Sequence, residues 1–223
     1  TLALTPIALA LLVGTMMPVG LAGHDGTRTV AVVQGGTPGP FLNWPLGEIF
    51  QLHIEATERI SEPVDMVLWP ENGSDLDPFN DRYARSEIER ASAQVGAPIL
   101  VGAILDGPSE TTAYNAGIVW DQNGPGGTYR KQNIVPYGEY VPFRQLLGNI
   151  VPRVDRDIPR DLLPGEKSMG LKIANTTLGN TICWDIAYDD AVHGAVRSGA
   201  QFMVVQTSNA SFEDTHQLEQ QWA

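Results

Sequence analysis

The stretch Asp65-Met-Val-Leu-Trp-Pro-Glu71 indicates the fold class, because it is a short apolar strand that ends at a proline. Apolar residues at helical spacing predict an amphipathic helix over residues 46–60, before this strand. A charged helix is expected over residues 79–95, and another strand over residues 98–105. Strands that alternate with helices are typical of layered α/β folds.

The alternation continues on both sides of this stretch. Thr29–Gln34 is predicted to be a buried strand, and residues 113–121 and 128–132 are predicted to form a hairpin around a turn at Gly124–Gly127. The region from 142 to 164 has no clear period, so we interpret it as a functional loop. The C-terminal part is predicted to contain strands at 171–174, 178–183 and 202–206, a helix at 186–197, and a helix that begins near Asp214.

Composition excludes several classes of protein. The chain has 223 residues and a formal net charge of −12, which argues against nucleic-acid binding because that function needs clustered cations. A single cysteine rules out an internal disulfide, and His, Cys and Asp show no metal-ligand spacing. The 43% apolar content argues against a disordered chain. We therefore predict a globular protein without a metal or a cofactor.

The charge is unevenly distributed along the chain. Thr1–Gly23 has no charged side chain and is about as long as a helix that crosses a membrane. We predict a truncated transmembrane segment at 1–23 and a catalytic domain at 24–223 that is incomplete at its C-terminus. A signal peptide is the first alternative, although a basic leader is missing. A buried helix is the second, although two prolines and two glycines within residues 6–20 disfavour it.

Three residues are candidates for a reacting centre. Cys183 ends a strand and precedes a helix, and the amides at a helix start favour a thiolate. The four histidines lie in no recognisable partner motif, so the base is expected to be a carboxylate. Glu71 follows a strand and would lie at its carboxyl end, where α/β sites gather. Lys131 follows the hairpin and could stabilise an oxyanion. The alternatives are a buried apolar cysteine, a solvated acid and a surface lysine.

Four segments carry a family resemblance. Trp69-Pro-Glu71, Tyr129-Arg-Lys131, Pro136–Phe143 and Ile182-Cys183 follow one another in the order typical of the nitrilase (carbon–nitrogen hydrolase) superfamily. Within it, Asn43-Trp-Pro45, the Gly-Glu-Tyr-Val-Pro run and the preceding apolar segment resemble the apolipoprotein N-acyltransferase branch. The resemblance implies a nitrilase-like αββα sandwich after a transmembrane helix. It also implies a bacterial inner-membrane location, with the catalytic domain on the periplasmic or outer face.

The resemblance also implies roles for individual residues. Glu71 would be the general base, Lys131 the oxyanion-stabilising cation and Cys183 the nucleophile. The backbone amide of Trp184 would supply a second oxyanion donor, and Glu139 would orient Lys131. The remaining expectations are Asp185 as a supporting residue where the family commonly has Glu, substrate contacts at Trp44, Tyr137 and Asn209, and a lid formed by residues 142–164.

The implied reaction is N-acyl transfer. A fatty acyl chain would move from a phospholipid, through a cysteine thioester, to the α-amine of the N-terminal diacylglyceryl-cysteine of an apolipoprotein. The partners would therefore be a phospholipid, an apolipoprotein and the membrane. Two alternatives stay open: a soluble nitrilase-type amidase that hydrolyses a carbon–nitrogen bond, and an inactive membrane-tethered relative.

Overall fold

The computed structural model describes residues 26–38, 44–144, 158–166, 170–210 and 216. The apolar segment at 1–23, residues 145–157 of the expected lid and the helix expected from Asp214 lie outside these ranges. Within them, no helix combines the length and the apolar character that a membrane crossing requires.

The larger of two sheets contains the apolar strand that precedes Pro70. The strands of this sheet are β1 (Val30–Val32), β2 (Met66–Leu68), β3 (Ile99–Asp106), β4 (Thr112–Asp121), β5 (Gly124–Arg130) and β6 (Asp161–Leu162). Their order is β1-β2-β3-β4-β5; β1, β2 and β3 run parallel, whereas β4 is antiparallel to both β3 and β5. The two-residue strand β6 pairs with the start of β4.

Two helices cover one face of the larger sheet. These are α1 (Glu48–Glu58) and α2 (Arg82–Val95), and their buried residues Phe50, Ile54 and Ile88 pack with the side chains of β2 and β3. Each large apolar side chain that is fully buried here contributes roughly 1.5–3 kcal/mol to folding.

The smaller sheet packs against the opposite face. It contains β7 (Leu171–Ile173), β8 (Thr176–Ile182) and β9 (Phe202–Gln206), with β7 antiparallel and β9 parallel to β8. Leu178 and Ile182 join Met66, Leu100 and Val119 in the core between the sheets. The smaller sheet's other face carries α3 (Asp189–Arg197), which approaches so closely that a Cβ on Gly179 would meet Ala195. The expected αββα layering is confirmed.

Three details of the sequence interpretation were wrong. The strand predicted to be buried at Thr29–Gln34 is β1, which lies at an edge of the larger sheet with Val30 and Val32 exposed. The hairpin exists, but its turn is at Asp121–Gly124, where the Asn123 amide donates to Asp121, and Gly124-Pro-Gly-Gly127 is the start of β5. Proline and glycine were interpreted as chain breakers, yet β5 is the last strand on the path of the larger sheet, and an edge strand tolerates them. Residues 142–164, interpreted as irregular, include β6.

Candidate active site

Glu71, Lys131 and Cys183 come together at one end of the sandwich. Glu71 follows β2, Lys131 follows β5 and Cys183 follows β8, so two residues come from the larger sheet and one from the smaller sheet. The Lys131 ammonium Nζ lies 3.6 Å from Glu71 Oε1 and 2.6 Å from Glu139 Oε1. Lys131 is 1% exposed and Glu71 7%, whereas Cys183 is half-buried. The two residues form a buried charged cluster, so the alternatives of a surface lysine and a solvated acid do not hold.

The Glu71 carboxylate is held from both sheets. The strand ladder stops at Trp69, whose amide donates to the Leu100 carbonyl at 2.9 Å, and Pro70 directs the chain away from the sheet. Asn115 Nδ2 of β4 then donates to Oε1 at 2.7 Å, and the amide of Ser208, just after β9, donates to Oε2 at 2.9 Å. Burial raises the pKa of Glu71, although Lys131 and these two hydrogen bonds act in the opposite direction. A raised pKa makes this carboxylate a stronger base.

Lys131 is fixed at both its backbone and its side chain. Its amide donates to the Asn115 carbonyl at 2.8 Å, and its main partner is Glu139, whose second oxygen accepts from the Val135 amide at 2.8 Å. Burial acts to lower the pKa of Lys131, but the carboxylates of Glu71 and Glu139 outweigh it, so the pKa is raised. Lys131 therefore carries a fixed positive charge beside the thiol.

Cys183 lies at a sharp turn between β8 and a 3₁₀ helix, Cys183–Ala187. Its φ of 49° is in the left-handed region, which non-glycine residues rarely adopt. Burial and the Glu71 carboxylate raise the pKa of the thiol, while Lys131 and a hydrogen bond with Thr207 lower it. The net direction is upward, so the resting group is a thiol whose proton must be removed during attack.

Asp185 links the two halves of the site. It is fully buried and accepts from the Tyr129 hydroxyl at 2.6 Å, the Asn133 amide at 2.8 Å and the Ile182 amide at 3.3 Å. Burial and the Asp185 charge raise the pKa of Tyr129, which keeps the phenol a donor. Asp185 is one methylene shorter than the glutamate that the family commonly has here, yet both of its carboxylate oxygens accept hydrogen bonds.

The other expected site residues make fewer contacts with the cluster of Glu71, Lys131 and Cys183. The Trp184 amide lies in the first turn of the 3₁₀ helix, where helix N–H groups lack intrahelical partners. Tyr137 is 67% exposed, on a loop that also carries Glu139. Asn209 follows Ser208, and its Oδ1 is buried without a partner in the described part of the chain. Trp44 is half-buried, and among the described residues no hydrogen bond or ring contact links it to the charged cluster.

Sequence reasoning missed three groups that hold the site: Asn115, Thr207 and Ser208. Asn115 is an amide in the mostly apolar sequence of β4, and this polar residue among apolar ones is the one available signal for it. Thr207 and Ser208 follow the carboxyl end of β9, where the rule that located Glu71 also applies. Together, these residues bring a carboxylate, an ammonium and a thiol to one place, a combination that acyl transfer through a covalent intermediate can use.

Comparison with known proteins identifies a family and named relatives that agree with the motifs of the sequence. The profile of the family described as carbon-nitrogen hydrolase matches residues 29–223. An apolipoprotein N-acyltransferase of Mycolicibacterium smegmatis is 34% identical over 89% of this chain and 36% of that protein. The enzyme of the same name from Azotobacter vinelandii is 30% identical over 80% of this chain and 36% of that protein. The chain thus spans about a third of the length of these relatives, and the resemblance drawn from its motifs is confirmed.

Solved structures share the fold. An amidase from Nesterenkonia sp. superposes with a TM-score of 0.58 at 20% identity, covering 84% of this chain and 67% of that one. A carbon-nitrogen hydrolase from Helicobacter pylori gives a TM-score of 0.57 at 14% identity, covering 87% and 66%. At these identities the likeness concerns the fold alone.

Proposed function

The chain belongs to the carbon–nitrogen hydrolase family, and from that premise we propose that it transfers a fatty acyl chain from a phospholipid to the N-terminal amine of an apolipoprotein. The observation that carries the proposal is the meeting of Glu71, Lys131 and Cys183 from two sheets. The named relatives support the choice of acyl transfer over hydrolysis.

The first half-reaction acylates Cys183. The sulfur attacks the ester carbonyl carbon as Glu71 accepts the thiol proton. The negative charge that develops on the carbonyl oxygen is stabilised by the Lys131 ammonium and the Trp184 amide. When the carbon–oxygen ester bond breaks, Glu71 returns the proton to the leaving oxygen, and a lysophospholipid departs.

The second half-reaction delivers the acyl group. The α-amine of the diacylglyceryl-cysteine attacks the thioester carbon, and Glu71 takes one of its protons. The carbon–sulfur bond then breaks, the amide product leaves, and the sulfur recovers the proton from Glu71. A thioester suits this step because amines attack it far more readily than they attack an ester.

Substrates that are lipids imply a membrane context. We propose that residues 1–23 cross the bacterial inner membrane and that residues 24–223 form the catalytic domain on its periplasmic or outer face. Trp44, Tyr137 and Asn209 would contact substrate, and residues 142–164 would cover the acyl chain. Glu139 would orient Lys131, and Asp185 would hold the turn that carries Cys183.

The test is an intact-mass measurement on the full-length protein in detergent. After incubation with phospholipid, we expect a mass increase of one acyl group, which disappears when an amine-bearing diacylglyceryl peptide is added. Cys183→Ala removes the single cysteine of these 223 residues and should abolish the adduct. Full-length wild type that never gains the adduct would overturn the proposal, and a thioester released by water but not by the peptide would support an amidase instead.

A further inference from the structure

The core between the two sheets contains a polar bridge beside the site. Asn180 of β8 is fully buried, and Gln206 of β9 is 2% exposed. Asn180 Nδ2 donates to Gln206 Oε1 at 2.8 Å, and Gln206 Nε2 donates to the Trp69 carbonyl at 2.9 Å. The neighbouring residues of this core are apolar, including Leu178 and Ile182 on the same strand. Two side-chain amides thus connect the smaller sheet to the end of β2.

Two facing glycines make room for this bridge. Gly102 of β3 and Gly117 of β4 are direct partners in the larger sheet. A Cβ on Gly117 would overlap the amides of Asn180 and Gln206, and a Cβ on Gly102 would overlap the Pro70 carbonyl. At these glycines the larger sheet presents only its backbone, and the two amides occupy the space that side chains would otherwise fill.

The bridge holds the segment that carries the proposed base. The Trp69 indole is fixed on the helix side by a 2.9 Å bond to Thr57 Oγ1, while the Trp69 carbonyl is fixed on the other side by Gln206. Glu71 follows only two residues later. The chain after Gln206 continues directly to Thr207, which bonds to Cys183, and Ser208, which bonds to Glu71.

We propose that Gln206, supported by Asn180, is the positioning residue that sets the distance between Glu71 and Cys183. Its amide ties the base-bearing segment of one sheet to the strand end of the other, so the two reacting groups keep one register. Apolar side chains of similar volume would fill the same core without leaving buried amides that must find partners. The value of the polar pair therefore lies in fixing this register. The proposal rests on the proposed function only for its acyl-transfer readout.

The test compares two glutamines in the full-length protein: Gln206 at the end of β9, and Gln201 directly before β9 begins. Gln206→Met removes the bridge, whereas Gln201→Met removes hydrogen bonds to Thr176 and Thr177 within the smaller sheet alone. We expect Gln206→Met to slow acylation at saturating phospholipid by about tenfold or more, because small misplacements of reacting groups have large effects. The half-saturating phospholipid concentration should stay unchanged, and Gln201→Met should react like wild type.

A second readout does not depend on the substrate. Iodoacetamide alkylates the thiolate of Cys183, and the nearby Glu71 carboxylate raises the pKa of this thiol. A longer distance between the two groups should therefore move the pH profile of alkylation to lower pH in Gln206→Met and not in Gln201→Met. If Gln206→Met lacks a cooperative melting transition, Asn180→Ala replaces it, since that change keeps the bond to Trp69 and should move the profile less. A folded variant of this bridge with wild-type alkylation would overturn the inference. Wild type without an acyl adduct would instead count against the proposed function, while the alkylation result would still stand.

Discussion

Two clusters in this molecule each contain one cation between two glutamates, and they differ in burial. Lys131 lies between Glu71 and Glu139, and Arg90 lies between Glu58 and Glu87. The closest nitrogen–oxygen distance to Glu139 and that to Glu87 are both 2.6 Å. Lys131 is 1% exposed at its side chain, whereas Arg90 is 47% exposed. The first cluster is at the candidate active site, and the second links the outer surfaces of α1 and α2.

The difference shows that charge composition alone does not define a site. The hydrogen bonds that Arg90 donates to Glu87 and Glu58 raise its pKa, but water screens these charges, and such clusters contribute little to stability. Removing three charges from water is costly, and burial is the largest effect on the pKa of both Lys131 and Glu71. A protein maintains such a cluster where it needs fixed charges, and here they face a thiol.

The largest effect is expected from Lys131→Met, which leaves the buried Glu71 and the partly buried Glu139 without their cation. We expect acylation of Cys183 to fall by at least about 10²–10³-fold, the usual loss when an oxyanion donor is removed. The matched control is Lys172→Met, because Lys172 bonds to Thr177 on the smaller sheet. Single-turnover intact-mass measurement decides the matter, and a Lys131→Met protein with control-like rates would show that the buried cation has no catalytic role.

Glu139→Gln should have the next largest effect. It keeps the size of the side chain but removes the charge that lies closest to Lys131 and weakens the acceptor for the Val135 amide. We expect acylation to slow by about tenfold to hundredfold, since misplacement of Lys131 weakens its contact with the reacting oxygen. Glu166→Gln, at an exposed position, serves as the control. Equal rates for the two variants would mean that Glu139 does not orient Lys131.

The pH dependence of stability separates the buried cluster from a solvated one. The pKa of Glu71 is raised from its usual value of 4.5, chiefly by burial. The folded state therefore binds this proton more tightly, and the resulting stability is complete below the unfolded pKa and is lost as pH rises through the folded pKa. Glu71→Gln cannot titrate at this position.

We therefore expect the free energy of unfolding to shift in favour of Glu71→Gln, relative to wild type, as pH rises from about 4.5 to 7. Urea unfolding of both proteins across this range gives the difference. Glu166→Gln is again the control for loss of an exposed carboxylate. A difference that is constant with pH, or that moves in favour of wild type, would contradict the direction of the Glu71 shift.

The smallest effect is expected from Arg90→Met. Because the cluster on α1 and α2 is half-exposed, its removal should change the free energy of unfolding by less than about 1 kcal/mol, and by less still at high salt. Acylation should be unaffected. Urea unfolding at low and high salt measures the change in stability. A loss of acylation rate comparable to that of Lys131→Met would remove the contrast between the clusters.

Much of the fold could be predicted because its signals are local. The apolar run before Pro70 became β2, and Phe202–Gln206 was placed as β9 at its observed ends. The prediction of a turn over Gly124–Gly127 was wrong because a strand tolerates proline at the edge of a sheet. Whether a strand lies at an edge depends on which strands pair with it. Pairing partners lie far apart in sequence, and no local pattern carries that information.

The residues of the site also divide into those that local sequence predicts and those that depend on distant contacts. Glu71, Lys131 and Cys183 were named because each follows a strand or hairpin and matches a family motif. Asn115 and Ser208 were missed, since their role is to reach Glu71 across 44 and 137 positions of the chain. The glycines Gly102 and Gly117 look like ordinary strand-weakening residues until side-chain amides of the opposite sheet are seen to pack against them.

The division of the site between two sheets also bears on biosynthesis. Glu71, Lys131 and Glu139 leave the ribosome before Cys183, and Thr207 and Ser208 leave last. The thiol consequently meets its proposed base only after β8 and β9 have docked, so in a nascent or misfolded chain Cys183 lies apart from Glu71. Thiol reactivity during a refolding time course thus reports when the two sheets have joined.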